Sequence, residues 1–170
     1  MGGPINVRPA TAQDTVIVMS ILTEAAWWQE QAGDPVWLEG ELTAEKIRAE
    51  VTAGLFFLAE FEGEPVGTVK FQLEDTLFWP DAPTVEAAYV HRLAVRRSHA
   101  GKGVSVALMK WAAERVGELG RRLLRLDCDS NRPRLRAVYE RFGFRHHSDR
   151  QVGRYFVARY EYDIGEHRVK

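Results

Sequence analysis

An α+β (mixed α/β) fold, with one sheet covered by helices, is what the segment order of this 170-residue chain predicts. Three observations carry the prediction. Short β-rich runs alternate with longer stretches of helical periodicity. The turn Glu62-Gly63-Glu64-Pro65 joins two of those runs as a hairpin. Beyond residue 103, two segments repeat apolar residues at the i, i+3, i+4, i+7 spacing of a half-buried helix.

Taken in order, Ile5 to Arg8 predicts a strand and about Thr11 to Gln29 a helix, followed by a loop over Gln31 to Trp37. Thr43 to Thr52 predicts a second helix, with Thr43 as its cap and Lys46 and Arg48 in water. Leu55 to Phe61 is the first hairpin strand. Val66 to Leu73 is the second, and its alternation of Val69, Phe71 and Leu73 against Thr68, Lys70 and Gln72 predicts one buried and one solvated face. After a loop over Trp79 to Pro83 comes a strand ending at Val95. The next helix starts near Gly103 and buries Val104, Ala107, Leu108, Trp111, Ala112, Val116 and Leu119. Leu123 to Cys128 predicts a buried strand, and Asp129-Ser130-Asn131 before Pro133 a helix start capped by Asn131. That helix shows Leu135, Val138, Tyr139 and Phe142 on one face and stops at Gly143. Strands over Phe144 to Ser148 and Tyr155 to Tyr162 close the chain, which reads as a single domain over 1–170.

Composition narrows the function. With 45% hydrophobic and 28% charged residues, the chain can bury a proper core. Its net charge of −1 gives no general attraction to nucleic acid or to a membrane surface. No stretch approaches the roughly 20 consecutive apolar residues that span a bilayer, and Met1-Gly2-Gly3-Pro4-Ile5-Asn6 lacks a signal-peptide core. The single cysteine has no internal partner, and no Cys/His cluster has metal-ligand spacing, since the adjacent His146 and His147 point opposite ways on a strand. A cytoplasmic, metal-free protein is the expectation.

The basic residues are placed rather than general. Arg96, Arg97, His99 and Lys102 surround the turn Ala100-Gly101-Lys102-Gly103-Val104-Ser105 at the mouth of the third helix. A helix start offers unpaired N–H groups and the positive end of the macrodipole, and glycines let an anion approach them. A G-x-G turn alone equally fits an ordinary surface turn. It is not a Walker A loop, because Gly101-Lys102 is followed by Gly103, and no G-x-G-x-x-G follows the first strand.

Leu93-Ala94-Val95, the Ala100 to Ser105 turn, Asn131, Ala137, Tyr139, Gly143 and Phe144, in this order and spacing, resemble the GNAT superfamily of N-acetyltransferases. The resemblance implies acetyl-CoA as cofactor. It also implies a mixed, mostly antiparallel twisted sheet of six to seven strands with about four helices, in the order β-α-α-β-β-β-α-β-α-β-β. Ala100 and Ser105 depart from the family's turn, leaving Lys102 or Arg97 to supply the missing cation.

Acetyl transfer from a thioester to an amine needs a neutral amine, a stabilised oxyanion and a proton for the departing thiolate. By resemblance, the Leu93 N–H stabilises the oxyanion, Leu93 and Val95 pair with the pantetheine arm, and the Asn131 amide faces that arm. Tyr139 matches the family's acid, and a phenol titrating near pH 10 is protonated at neutral pH and can serve a thiolate. Glu86 or His91 could take the amine's proton; alternation puts His91 on one face with Tyr89, Leu93 and Val95. Each of these residues also has an ordinary structural reading, as ladder group, core tyrosine or strand histidine. Cys128, between Asp127 and Asp129, lacks the positive surroundings of a reactive thiolate.

Trp27, Trp28, Trp37 and Trp79, with Glu30, Asp34, Glu39 and Glu41, predict an acceptor pocket for a cationic amine on an apolar body; the alternative is that tryptophans fill the core. Acetylation of a small-molecule amine leads. Acetylation of a protein N-terminus or lysine, or a non-catalytic CoA-sensing or partner-binding module, are the alternatives. The alternating strand Tyr155 to Tyr162 is read as a sheet edge able to pair across a homodimer.

Overall fold

The elements follow the predicted order. The computed structural model describes residues 3–33, 37, 40–83 and 85–167. It contains β1 (Ile5–Pro9), a 3-10 turn (Ala12–Asp14), α1 (Thr15–Gln31), α2 (Ala44–Thr52), β2 (Phe56–Phe61), β3 (Glu64–Gln72) and β4 (Ala87–Val95). A second 3-10 turn (Arg97–His99), α3 (Val104–Glu118), β5 (Leu123–Asp129), α4 (Pro133–Phe142), β6 (Arg145–Val152) and β7 (Tyr155–Asp163) complete it. The seven strands run β1-β2-β3-β4-β5-β7-β6 across one sheet. β4 and β5 pair parallel; β1 with β2, β2 with β3, β5 with β7 and β6 with β7 pair antiparallel. Two compact units make up the chain: Met1–Lys70 with Arg92–Met109, and Phe71–His91 with Lys110–Lys170.

In the first unit, the predicted start at Thr11 is a separate 3-10 turn. Asp14 accepts from Arg8 Nη1 at 2.8 Å and from the Thr11 N–H at 2.7 Å, and α1 begins only at Thr15. The Arg8 guanidinium is the first cause holding the Asp14 carboxyl far below the usual range. Thr43 Oγ1 accepts the Lys46 N–H at 3.3 Å and caps α2 as expected. Val18, Ile21 and Leu22 of α1 pack with Ile47 and Val51 of α2 and with Phe56, Leu58 and Ala94 of the sheet. The β2–β3 hairpin closes on Glu62 (φ 51) and Gly63 (φ 80), the left-handed pair that suits a two-residue turn between twisted strands.

β3 does not alternate as predicted. Thr68 is fully buried and donates its hydroxyl to the Phe57 carbonyl at 2.8 Å, whereas Leu73 lies beyond the strand and is exposed. Gly67 explains why this strand needs small residues. A Cβ there would stand 2.8 Å from Val104 Cγ1, 3.2 Å from the Ala94 carbonyl oxygen and 3.3 Å from Leu108 Cδ1. The start of α3 rests on that bare backbone. Gly67→Ala is therefore expected to cost about 1–3 kcal/mol by overpacking, read as a fall in melting temperature; an unchanged melt would show that α3 can shift without penalty.

In the second unit, Trp79 is buried against Ala87 and Tyr89. The guanidinium of Arg125 lies over its ring at 4.9 Å and that of Arg159 at 4.7 Å. Arg125 donates to Glu161 at 2.7 Å and to the Tyr89 hydroxyl at 2.9 Å; Arg159 donates to Asp81 at 2.7 Å and to Ser148 at 2.9 Å. Both buried charges are thus partnered, as burial requires.

β7 is not an edge strand, because it lies between β5 and β6. Its backbone groups pair from Leu123↔Asp163 to Asp129↔Val157 on one side and with β6 on the other, so the edge argument for a homodimer is removed. α4 carries Pro133 in its first turn and ends at Gly143 (φ 124), as predicted. Its N-cap position is Arg132 rather than Asn131, whose backbone N–H is drawn instead to Asp129 Oδ1 at 2.8 Å. No helix among the described residues is long and apolar enough to cross a membrane.

Candidate active site

The turn after β4 has the conformation its glycines imply. Gly101 (φ 74) and Gly103 (φ 84) are left-handed, and a Cβ on either would meet nothing within 4 Å. They are needed for backbone shape, and the space before them is open. α3 then begins at Val104, its first helical bond running from the Ala107 N–H to the Gly103 carbonyl at 3.0 Å. By helix geometry, the N–H groups of Val104, Ser105 and Val106 have no acceptor within the helix. Ser105 is half-buried, and Ala100 and Lys102 are exposed.

Neighbouring arginines fasten this turn to α1. Arg96 Nη1 donates to Ser20 Oγ at 3.1 Å, Glu24 Oε2 accepts the Arg97 N–H at 2.8 Å, and the Arg97 guanidinium lies 4.8 Å over the Trp28 ring. Arg97 is therefore anchored on α1, and Lys102 is the basic side chain that the glycine turn itself carries.

Just upstream, Arg92 has φ 54 inside β4, an unusual conformation for a residue with a side chain. Its guanidinium lies 5.1 Å over the Trp37 ring. A left-handed residue breaks the two-residue alternation, so His91 cannot be assigned to the face of Leu93 and Val95 by counting. Leu93 and Val95 are both half-buried, beside a buried Ala94.

The tryptophans divide. Trp27 and Trp28 are exposed near the end of α1 and meet edge to face at 5.1 Å. Trp37 packs against the first unit's core and Trp79 is a core residue of the second, so neither is an open pocket wall. A groove of about 620 Å³ is lined by Val16, Met19, Thr23 and Trp27 of α1 and by Ala44 and Arg48 of α2, among others. Glu30 is exposed and Glu41 half-buried, and neither lines that groove; Asp34 and Glu39 lie outside the described residues.

In the second unit, Tyr139 is buried on α4 against Phe144 at 6.0 Å and Tyr160 at 6.3 Å between ring centres. Burial first, then the neighbouring Cys128 and Asp127, push its phenol above the usual value, so it is protonated at neutral pH. Cys128 is buried, and burial together with Asp127 pushes its thiol up to about 12. It is a packing residue, as its neighbours in sequence implied.

Of the two candidate bases, Glu86 has a side chain 47% exposed and 3.4 Å from the Arg125 guanidinium. His91 is better enclosed. Its Nε2 lies 2.8 Å from Asp75 Oδ2 and its Nδ1 3.9 Å from Asp127 Oδ2. Asp75, His91 and Asp127 bring their nitrogen and oxygen atoms within 4.8 Å of one another, a convergence of the loop after β3, the middle of β4 and β5 that spacing along the chain does not reveal. The one signal in the sequence is an aspartate inside the apolar run Leu123 to Cys128. Burial acts to raise Asp75, but the His91 hydrogen bond and the Phe78 and Leu77 N–H groups outweigh it and hold the carboxyl below its ordinary value. Asp127 goes the other way: burial, reinforced by Asp75 and opposed by His91 and Arg159, pushes it up to about 6.

That shift predicts a pH effect on stability. A folded value near 6, above an unfolded value near 4, means that folding takes up a proton in this window. The Asp127 contribution is full below the window and lost as pH rises through it, by on the order of 3 kcal/mol. Asp127→Asn should gain several degrees of melting temperature on the unmodified protein between pH 4 and pH 7. Parallel melting curves across that range would exclude a raised carboxyl.

Residues 22–144 match the model of the acetyltransferase (GNAT) family. An uncharacterised N-acetyltransferase of Bacillus subtilis (strain 168), YesJ, is 27% identical over 143 residues, covering 80% of this chain and 79% of that one. The crystal structure of a GNAT-family acetyltransferase from Listeria monocytogenes 4b F2365 superposes with a TM-score of 0.79 at 23% identity, over 95% of this chain and 98% of that one. The aminoglycoside acetyltransferase AAC(6')-Ib, solved with paromomycin and acetyl-CoA, gives a TM-score of 0.79 at 15% identity over 99% of each chain. The chain belongs to the acetyltransferase (GNAT) family and is an N-acetyltransferase that uses acetyl-CoA.

Proposed function

We propose that the chain, acting as one acyltransferase domain over 1–170, moves the acetyl group of acetyl-CoA to a primary amine of a small molecule by direct attack in a ternary complex. The observation that carries this reading is the open helix mouth after β4, shaped by left-handed Gly101 and Gly103 and flanked by Lys102. Its donor set suits a diphosphate: backbone N–H groups from Gly103 to Ser105, a helix dipole and an ammonium. When bound, acetyl-CoA supplies a thioester carbonyl activated toward amines.

Around that group the chain's residues divide the work. The turn Ala100 to Ser105 holds the diphosphate, and Arg97 adds positive potential from its seat on α1. Leu93 and Val95 pair with the pantetheine arm, Asn131 faces it, and the Leu93 N–H donates to the developing oxyanion. Arg92, turned to φ 54 immediately before Leu93, sets the direction of that N–H. Tyr139, protonated at neutral pH, delivers a proton to the departing sulfur. His91 is favoured over Glu86 as the base, because Glu86 is half-exposed and paired with Arg125.

A small-molecule acceptor is supported by the apolar groove along α1 that includes Trp27, and by the likeness in fold to an enzyme solved with an aminoglycoside. A cytoplasmic setting accords with a single buried cysteine. Release of free thiol from acetyl-CoA, measured across a panel of small amines, peptides and aminoglycosides, tests the reading. Turnover confined to small amines is the expected result. Tight CoA binding with no turnover on any amine would instead leave a CoA-sensing module.

A further inference from the structure

We propose that Asp75 and Asp127 fix where the proton sits on His91, so that Asp75-His91-Asp127 is a two-carboxylate relay whose lone-pair nitrogen, Nδ1, takes the proton lost by the acceptor amine. This rests on the reading of His91 as the base.

The geometry assigns each end of the ring. The Asp75 side chain is 4% exposed, its Oδ2 is 2.8 Å from His91 Nε2, and its Oδ1 accepts the Phe78 N–H at 3.0 Å. An ionised carboxylate only accepts, so Nε2 carries the hydrogen and Nδ1 carries the lone pair. The Phe78 ring covers the imidazole at 5.9 Å between centres and restricts its turning.

Asp127 faces the other nitrogen. Its Oδ2 lies 3.9 Å from Nδ1, beyond hydrogen-bond reach, and is a buried oxygen with no hydrogen-bond partner in a side chain 8% exposed. A buried, unpaired carboxylate oxygen is costly, and such groups are kept where they have a task. Before proton transfer this oxygen faces a lone pair and gains nothing. Once Nδ1 is protonated, it faces an N–H of an imidazolium and stabilises it. The relay thus favours the transferred state over the resting one, which is what a base requires.

The proton balance closes. The ammonium of the acceptor gives one proton to the Nδ1 lone pair, the freed amine pair forms the bond to the thioester carbon, and the C–S bond breaks with its pair on sulfur, which Tyr139 protonates. The second proton, shed by the nitrogen as it becomes the neutral amide, restores the Tyr139 phenol, and the proton on His91 leaves to solvent. The charged and titratable groups bearing on the relay are Asp75 before β4, Arg159 of β7, and Cys128 and Tyr139, both of which Asp127 raises. All lie in the same unit.

Nitrogen-15 NMR of the histidine-labelled full-length protein, combined with pH profiles of kcat, tests this. In the unmodified protein neutral His91 should be the Nε2–H tautomer; the Nδ1–H tautomer would overturn the relay whatever the variants do. Asp75→Asn should abolish that tautomer preference and lower kcat by about tenfold or more, with KM for acetyl-CoA unchanged and partial rescue by Asp75→Glu. Asp127→Asn should keep the tautomer but move the acid limb of kcat to lower pH, because the imidazolium loses the carboxylate that faces it. Should His91→Gln leave turnover and its pH profile intact, the base assignment itself fails and the relay with it. If His91→Gln removes turnover but both asparagine variants leave tautomer and acid limb unmoved, only the relay fails. Stoichiometric Zn²⁺ binding that either asparagine variant abolishes would also overturn it, since the Nδ1 lone pair would then be a metal ligand.

Discussion

Tyr139→Phe is expected to lower kcat by about 10² to 10⁴, the usual contribution of a positioned proton donor, with CoA affinity close to that of the unmodified protein. The substitution removes one oxygen and keeps the ring that packs on Phe144 and Tyr160, so α4 should stay in place. The sign of the expected effect follows from the phenol's surroundings. Burial, Cys128 and Asp127 all disfavour the phenolate, so the group arrives protonated and can only give its proton away. Steady-state thiol release and a CoA titration on the same preparation separate the two quantities. Unchanged turnover would remove Tyr139 from the mechanism and leave it as a core residue.

A second large effect is expected at the helix mouth. Gly103 is a poor place to block it, because φ 84 strains any side chain and the turn itself would deform. Ser105 lies in the first turn of α3, where a larger residue is compatible with helical backbone. Side chains on a helix lean toward its N-terminus, so Ser105→Trp would lay its indole across the N–H groups of Val104 to Val106. Losing one or two charge-assisted hydrogen bonds to phosphate should weaken CoA by about 10²-fold or more, with the melting temperature of the free protein nearly unchanged. Normal CoA affinity in that variant would mean that the diphosphate is held elsewhere.

The readable parts of this protein are those whose signal is local. Gly101 and Gly103 mark left-handed turns, Thr43 marks a cap, Pro133 and Gly143 bracket α4, and apolar spacing marks α3, because each depends on a residue's own conformational limits or on a period set by the helix. Boundaries moved where a tertiary partner competed. Asp14, drawn to Arg8, delays α1 to Thr15, and Asp129 takes the Asn131 N–H and leaves the α4 cap to Arg132. Trp79 looked like a pocket aromatic and is a core residue. Only the fold brings Arg125 and Arg159, 34 positions apart in sequence, onto its ring at 4.9 and 4.7 Å. β7 shows the same limit, since alternation reveals a strand but not its neighbours, and long-range pairing puts it between β5 and β6.

By itself the sequence determined the order of strands and helices, the anion-ready turn before α3, and the tyrosine that family resemblance singles out, because turn conformation, helical period and motif spacing are written in adjacent residues. The tertiary structure decided the rest: the left-handed Arg92 that turns β4 before Leu93, the burial that keeps Tyr139 protonated, and the meeting of Asp75, His91 and Asp127. Those features depend on solvent exclusion and on charges brought together across the sheet. Neither quantity exists until the chain has folded.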